Sequence, residues 1–251
     1  MRSVACLIVA LVTTASSVHA QTTQPVVPAG AGSINLANSI KLEREGCFGA
    51  CAIYSIEIST DGNATFEGRG FVDVHGTHRY RIAGDDVAKL FATAEADDLW
   101  SMKDRYESQA TDLPTYILSV TADNRTKTII DYMGQDAGMP ATVTELETLI
   151  DTTAHIEDWT RITSTTLENL KAEGFDFTSQ AGADLLAAAV DGRDTADDPT
   201  ILALVDAGAP LTGGRVFDYG PDDMRQIDIV TGLIQEGRQA LADTIVARRR
   251  P

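Results

Sequence analysis

Residues 52–68 have the sequence AIYSIEISTDGNATFEG, and they carry the clearest secondary-structure signal of the chain. Tyr54, Ile56 and Ile58 occupy every second position, which is the period of a β-strand with one buried face. The dipeptide Asp61-Gly62 follows, and it is the strongest short signal for a tight hairpin turn. Residues 64–68 then return toward the first strand. The stretch therefore predicts an antiparallel β-hairpin.

Further strand and helix patterns extend outward from this hairpin. The alternation of apolar and polar residues predicts strands at 39–45, 71–75, 79–82, 115–123 and 126–132. We expect 71–82 to form a second hairpin, in which Val74 pairs with Tyr80 so that their apolar neighbours share the buried face. Helical spacing of apolar residues appears at 84–100, where Asp85 or Asp86 could cap the start, and at 142–159. This order predicts an α+β domain over residues 36–159, with an antiparallel sheet covered on one face by helices.

The last third of the chain, residues 160–251, has helical periodicity and no convincing strand. Residues 166–178 align with residues 200–212 at an offset of 34, and Gly174 then matches Gly208. A short apolar helix is predicted between them at 181–192. This arrangement resembles ankyrin repeats, although their usual Thr-Pro-Leu-His opening is absent. The resemblance implies a small all-α, ankyrin-like helical-repeat domain, an architecture that often presents a groove to a protein partner.

The N-terminal residues have the composition of an export signal followed by a leader. Arg2 precedes an apolar run at 4–12, and small residues then lead to Ala20. We expect a signal peptide over residues 1–20 that is cleaved after Ala20, which makes the protein periplasmic or secreted. Residues 21–35 are uncharged and rich in Pro, Gly and Thr, as is typical of a flexible leader. No apolar run is long enough to predict a membrane span.

Composition excludes several classes of function. The 251 residues include 37 Asp and Glu against 20 Lys and Arg, so the formal net charge is −17. This charge argues against a nucleic-acid partner or an anionic membrane surface, because both would repel the protein. The sequence contains no phosphate-binding loop, HExxH motif or nucleophile elbow. We therefore predict no catalytic residue, cofactor or metal, and the oligomeric state stays open.

Cys47 and Cys51 are the residues most open to a chemical interpretation. Cleavage after Ala20 would remove Cys6, and the two remaining cysteines of an exported protein favour a disulfide. Gly49 between them permits the tight turn. A redox pair is the first alternative, but the spacing is C-x3-C and no helix is predicted to begin there. The nearby Glu43 and Glu45 also oppose a thiolate.

Two further alternatives involve partners for the cysteines. A zinc site would combine Cys47 and Cys51 with His75 and His78, but the H-x2-H spacing departs from the usual pattern. The simpler expectation is that both histidines are solvated surface residues. A cysteine nucleophile would need a base and an orienting residue, and the sequence shows neither.

The pattern Cys47-x-Gly49-x-Cys51-x-x-Tyr54, followed by Asp61-Gly62, resembles an uncharacterised bacterial family, the domain of unknown function numbered 6438. The resemblance covers residues 35–155 and departs at Ala52, where the family usually has Pro. Such domains are sometimes joined to ankyrin-like repeats, which is consistent with the helical tail. The family has no established activity, so the resemblance implies a domain and not a reaction.

A small set of polar and aromatic residues could line a groove beside the sheet. The set is Tyr106, Asp112, Tyr116, Asp131 and Tyr132. The alternative is that the tyrosines are half-buried packing residues with solvated hydroxyls. We expect an exported, non-catalytic interaction or accessory protein of the cell envelope that binds a protein partner through its helical repeats. The competing hypothesis is a thiol-dependent redox protein or an enzyme that uses the first domain.

Overall fold

A computed structural model describes residues 38–191, 195–217 and 224–249. The predicted signal peptide and leader lie outside the described residues. The strands are β1 Ser39–Arg44, β2 Ile53–Ser59, β3 Asn63–Gly70, β4 Gly76–Arg81, β5 Arg105–Glu107, β6 Tyr116–Ala122, β7 Arg125–Tyr132, β8 Gly214–Phe217 and β9 Met224–Ile227. The helices are α1 Gly84–Ala96, α2 Ala141–Thr153, α3 Glu157–Thr160, α4 Ser164–Ala172, α5 Gln180–Asp191, α6 Asp198–Asp206, α7 Ile229–Gln235 and α8 Gln239–Arg248.

The first seven strands form one sheet in the order β4-β3-β2-β1-β6-β7-β5. All neighbours are antiparallel except β5 and β7, which are parallel. The sheet is therefore mixed, and the prediction of an antiparallel sheet is wrong at this edge. The reason is the connection between β4 and β5. It runs through α1 from one edge of the sheet to the other, and a long connection of this kind allows a parallel neighbour. Only a short hairpin link forces the next strand to be antiparallel. The α+β class itself is confirmed.

The hairpin predicted from residues 52–68 is present. Ile56 pairs with Phe66 and Ile58 with Ala64, around the turn that contains Gly62. The second predicted hairpin is wrong, because β4 pairs with β3 and places His78 opposite Phe66. Residues 71–75 form only the connection between these strands, and Phe71 has a positive φ of 55° that ends the extended backbone. Asp85 and Asp86 do not cap α1, whose N-cap residue is Ala83.

Helices α1 and α2 cover one face of the sheet and complete its core. Ile40 and Leu42 of β1 are fully buried there, as are Leu146 and Ile150 of α2. The helix predicted at 142–159 is interrupted, because His155 has a positive φ of 51° and separates α2 from α3. The opposite face of the sheet is more polar, since strand residues alternate between the two faces. The core is continuous from the sheet through α3 into the helical tail.

The helical tail contains a β-hairpin, so the prediction of an all-α region is wrong. Strands β8 and β9 pair between α6 and α7. Each is only four residues long, which is too short for alternation to be recognised in the sequence. Packing holds the hairpin: a Cβ on Gly214 would lie 2.4 Å from the carbonyl oxygen of Ala183 and 2.8 Å from the Cβ of Ala187, both in α5.

Three helices of the tail begin and end in the same way. An N-cap side chain accepts a hydrogen bond from the backbone N–H of a threonine three residues later in α4, α6 and α7. A glycine with positive φ follows each helix. These positions are Thr163, Thr166 and Gly174; Asp197, Thr200 and Gly208; Asp228, Thr231 and Gly237. The first two sets are offset by 34 residues, as the sequence alignment predicted. Within the described ranges, no helix has the length and apolarity to cross a membrane.

Candidate functional site

A cavity of about 440 Å³ opens beside the loop that carries the two cysteines. It lies where β1 ends and where β2 and β6 begin, and α2 and α3 form its other wall. Its lining residues are Arg44, Cys51, Ala52, Tyr54, Pro114, Tyr116, Asp151, Ile156 and Thr160. The cavity is open to solvent, and its volume is enough to admit an extended side chain.

Three polar residues of the cavity, Arg44, Tyr54 and Tyr116, belong to one row of residues that crosses the sheet. Tyr54 of β2 pairs with Arg44 of β1, Arg44 pairs with Tyr116 of β6, and Tyr116 pairs with Asp131 of β7. Tyr106 of β5 completes the row opposite Asp131. Residues that pair across neighbouring strands lie on the same face of a sheet, so the whole row lies on the face that α2 covers.

Arg44 and Asp151 form the centre of the site. An Arg44 Nη2–Asp151 Oδ2 ion pair joins the sheet to α2, and the Tyr54 hydroxyl donates to Asp151 Oδ1 at 2.8 Å. The guanidinium carbon of Arg44 lies 4.3 Å from the centre of the Tyr116 ring. Burial alone would lower the pKa of Arg44, but the Asp151 carboxylate, Tyr54 and Tyr116 together outweigh burial and raise that pKa. Burial and the same carboxylate raise the pKa of the Tyr54 hydroxyl.

Glu147 adds a second carboxyl from α2, one helical turn before Asp151. It is 3% exposed, and its Oε1 has no hydrogen-bond partner among the described residues. Burial and the nearby Asp131 raise the pKa of Glu147 to about 8, although Arg44 acts in the opposite direction. Burial likewise raises the pKa of Asp151. The site therefore holds three carboxyl groups and one guanidinium in a weakly solvated space.

Asp131 is fixed by the turn that follows β7. The backbone N–H of Gly134 donates to Asp131 Oδ1 at 2.6 Å. A Cβ at Gly134 would lie 2.8 Å from that oxygen, 2.8 Å from the Met139 sulfur and 2.9 Å from the Cβ of Tyr106. Only glycine fits this position, and it sets the orientation of the Asp131 carboxylate.

The structure brings three of the five predicted groove residues together. Tyr106, Tyr116 and Asp131 lie in the cross-strand row. Tyr132 lies on the opposite face of β7, and its hydroxyl accepts from the N–H of Leu113 at 3.4 Å. Asp112 is exposed in the loop before β6, with a positive φ of 70°.

Cys47 and Cys51 are joined in a disulfide, with their Cα atoms 5.7 Å apart. The loop they enclose presents Phe48, whose surface is 87% exposed. The N–H of Phe48 donates to the carbonyl of Asp112 at 3.3 Å, which ties the loop to the segment before β6. The next element is strand β2, so no helix N-terminus adjoins the cysteines to stabilise a thiolate.

His78 does not take part in a metal site with the cysteines. It is buried, so the expectation of a solvated side chain is wrong for this residue. Its Nδ1 lies 2.9 Å from Glu173 Oε2 at the end of α4, and its Nε2 lies 3.1 Å from the carbonyl oxygen of His75. Its ring stacks on Trp159 at 5.0 Å. Among the described residues, no group of three or more His, Cys, Asp or Glu side chains could hold a metal ion.

Sequence reasoning missed Arg44, Tyr54, Glu147 and Asp151 as site residues. Each charged residue among them could have been noticed, because the periodicity of its strand or helix places it on or beside a buried face. Arg44 continues the alternation of Ile40 and Leu42, so a charge occupies a position on the buried face of β1. Glu147 and Asp151 likewise fall beside the apolar stripe of α2. A charged side chain on a core-facing position requires a partner of opposite charge, and here Arg44 on the sheet lies close to Glu147 and Asp151 on α2.

A mixed sheet with helices on one face defines the class of this domain as α+β. Residues 38–154 match the family model described as a domain of unknown function, DUF6438. The match supports the family resemblance drawn from the segment around Cys47. It contains the complete cross-strand row and α2, and it ends before the helical tail. No curated protein matches the chain.

Proposed function

We propose that the protein is an exported, non-catalytic interaction protein of the cell envelope, and that the Cys47–Cys51 loop is its contact surface. The observation that carries this proposal is the exposure of Phe48, which is 87%, at the apex of a loop closed by a disulfide. Aromatic side chains contribute strongly to protein interfaces. A loop already constrained by a disulfide loses little conformational entropy when a partner binds it.

Export is proposed from the N-terminal sequence, where Arg2 and an apolar run precede small residues. The disulfide supports this proposal, because structural disulfides persist in oxidising compartments. Cell fractionation tests it: the protein is expected in the periplasmic or extracellular fraction, shortened after Ala20. Recovery of the full-length chain in the cytosol would contradict it.

The helical tail is proposed to be an ankyrin-like repeat region that offers a second surface to the same protein partner. Support comes from the shared capping of α4 and α6 at an offset of 34 residues. Stacked helical repeats form extended surfaces that commonly bind proteins.

A photo-crosslinking amino acid at position 48 tests the contact surface in cells that express the protein. The matched control is the same amino acid at Trp100, an aromatic position that is 39% exposed near Arg125, at the other end of β7. We expect a discrete adduct from position 48 that is absent from position 100. Identical adducts from both positions, or none from position 48, would contradict the proposal.

A thiol-dependent redox protein is the second candidate, because the exposed loop makes the disulfide reachable by another thiol. In that case Cys51→Ser would leave Cys47 free to be trapped as a mixed disulfide with a partner. The structural role predicts no such species. It predicts instead that the Cys47→Ser/Cys51→Ser double variant weakens the adduct from position 48, since the loop is then unconstrained. Titration of thiols in the denatured protein without reductant gives the oxidation state directly.

A further inference from the structure

We propose that the cavity is a receptor for a cationic side chain, a lysine or arginine, of the protein partner. This inference rests on the proposed function, because the disulfide-closed loop that presents Phe48 also forms part of the cavity mouth through Cys51. Phe48 would then contact apolar surface of the partner while the neighbouring cation enters the cavity.

The charges in and behind the cavity favour a cation. Glu147 lies close enough to Asp131 and to Asp151 to interact with both, and the guanidinium of Arg44 is the cation that stabilises Glu147 and Asp151. One guanidinium therefore lies near three carboxyl groups, of which Asp151 lines the cavity while Asp131 and Glu147 lie behind it. A second cation would stabilise the ionised form of Glu147, which burial and Asp131 disfavour, whereas an anion would disfavour it further.

The site already demonstrates how it holds a cation. Arg44 forms an ion pair with Asp151 and lies over the Tyr116 ring at 4.3 Å and the Tyr54 ring at 5.8 Å. Carboxylates and aromatic faces are the two groups that recognise guanidinium and ammonium ions in proteins.

Acceptors remain for an incoming ammonium or guanidinium group. The Asp151 carboxylate accepts one hydrogen bond at each oxygen in the structure, from Tyr54 and from Arg44. An ionised carboxylate offers about four lone-pair sites, so each oxygen can accept another donor. The Tyr54 hydroxyl oxygen, which donates its hydrogen to Asp151, keeps its own acceptor capacity. Apolar lining from Ala52, Pro114 and Ile156 suits the methylene stem of a lysine.

The net charge of the whole chain acts in the same direction. A formal charge of −17 attracts a basic partner over long range and accelerates association. The raised pKa of Glu147, about 8, adds a measurable consequence. A cation bound near this group lowers the pKa of Glu147, so binding at neutral pH releases a proton. The groups that face Glu147 in this process are Asp131 from the sheet, Arg44 from β1 and Asp151 from α2.

The test uses three small probes that share one shape: n-butylammonium, which reproduces the lysine side chain, butyrate and n-butanol. Each is titrated into the exported chain while backbone amide resonances are followed by NMR. We expect n-butylammonium alone to shift the amides of Ala52, Tyr116 and Asp151. Calorimetry in two buffers of different ionisation enthalpy is expected to show proton release.

Two variants and a control locate the binding. Asp151→Asn removes the carboxylate, and it should weaken n-butylammonium binding by at least about tenfold, since it replaces a charge-assisted contact with a neutral one. Tyr54→Phe removes only a hydroxyl and should weaken binding while the fold is kept. Glu145→Gln, an exposed carboxylate on the same helix, should leave the affinity unchanged.

Preferential binding of butyrate would overturn the inference, and so would no binding of any probe or equal affinity in all variants. If position 48 still gives its discrete adduct in those cases, the proposed function stands and only the cation receptor is rejected. If n-butylammonium binds but position 48 gives no adduct, the cavity is a cation site and the proposed contact surface is rejected.

Discussion

Glu147→Gln gives the sharpest test of the buried charge cluster. In the folded protein the pKa of Glu147 is raised from 4.5 to about 8 by burial and by Asp131. At roughly 1.36 kcal/mol for each tenfold change in proton affinity, ionised Glu147 costs the fold on the order of 5 kcal/mol. The side chain is 3% exposed, so solvent screening reduces this figure little.

The sign of the pH dependence follows from the direction of the shift. Below the unfolded pKa of 4.5, Glu147 is protonated in both states and costs nothing. As the pH rises from there toward about 8, the unfolded chain releases the proton and the folded chain keeps it. The folded state then binds more protons than the unfolded state, so stability falls over this window. A glutamine cannot ionise, and the variant escapes this loss.

Urea unfolding of both proteins at a series of pH values across this window measures the effect. The stability of Glu147→Gln relative to the unmodified protein should increase by on the order of 1 kcal/mol per pH unit. Glu145→Gln, on the exposed side of the same helix, is the matched control and should show no such trend. If the stabilities of Glu147→Gln and the unmodified protein change in parallel with pH, the pKa of Glu147 is not raised in the folded protein.

Three further predictions concern stability, each measured by thermal or urea unfolding. The Cys47→Ser/Cys51→Ser double variant should lose about 2 kcal/mol, the chain-entropy value for a five-residue loop, and an unchanged stability would show that the disulfide does not constrain the unfolded chain. Gly134→Ala should lose about 1–3 kcal/mol because its Cβ would overlap its neighbours, whereas Gly84→Ala, with open space around its Cβ, should cost far less. His78→Gln should lose about 1–3 kcal/mol by removing one of two buried hydrogen bonds, and a neutral result would mean that the contact with Glu173 contributes nothing.

The sequence predicted those parts of the fold in which local signals agree with packing. The β2–β3 hairpin was predictable because the alternation of Ile56 and Ile58 and the turn at Asp61-Gly62 indicate the same register. The pairing of β4 was not predictable by the same logic. Residues 71–82 alternate well enough to form their own hairpin, but β3 extends to Gly70 and offers a longer partner. Residues 71–75 and β3 are both possible partners for β4, and tertiary packing decides between them. The local sequence pattern carries no information about that packing.

The candidate site was only partly predictable for a related reason. Tyr116 and Asp131 could be expected near each other because they face one another across a hairpin. Arg44 and Asp151 are 107 residues apart, and nothing in the chain between them indicates their contact. Their meeting depends on α2 crossing the end of β1, which is a tertiary event. The useful local sign was a charged residue on an otherwise apolar face.

The contact between Glu173 and β4 has a consequence for how the two parts of the chain depend on each other. β4 is an edge strand, and a Glu173 carboxylate oxygen accepts the backbone N–H of Arg79 on it. An edge strand with free N–H and C=O groups is a template on which a second molecule can add a strand. We therefore expect the end of α4 to block strand addition at this edge. A truncated protein that ends after α3 would expose both this edge and the ring of Trp159. Self-association of that truncated protein would show that the tail protects the sheet edge, a role separate from any partner that the tail binds.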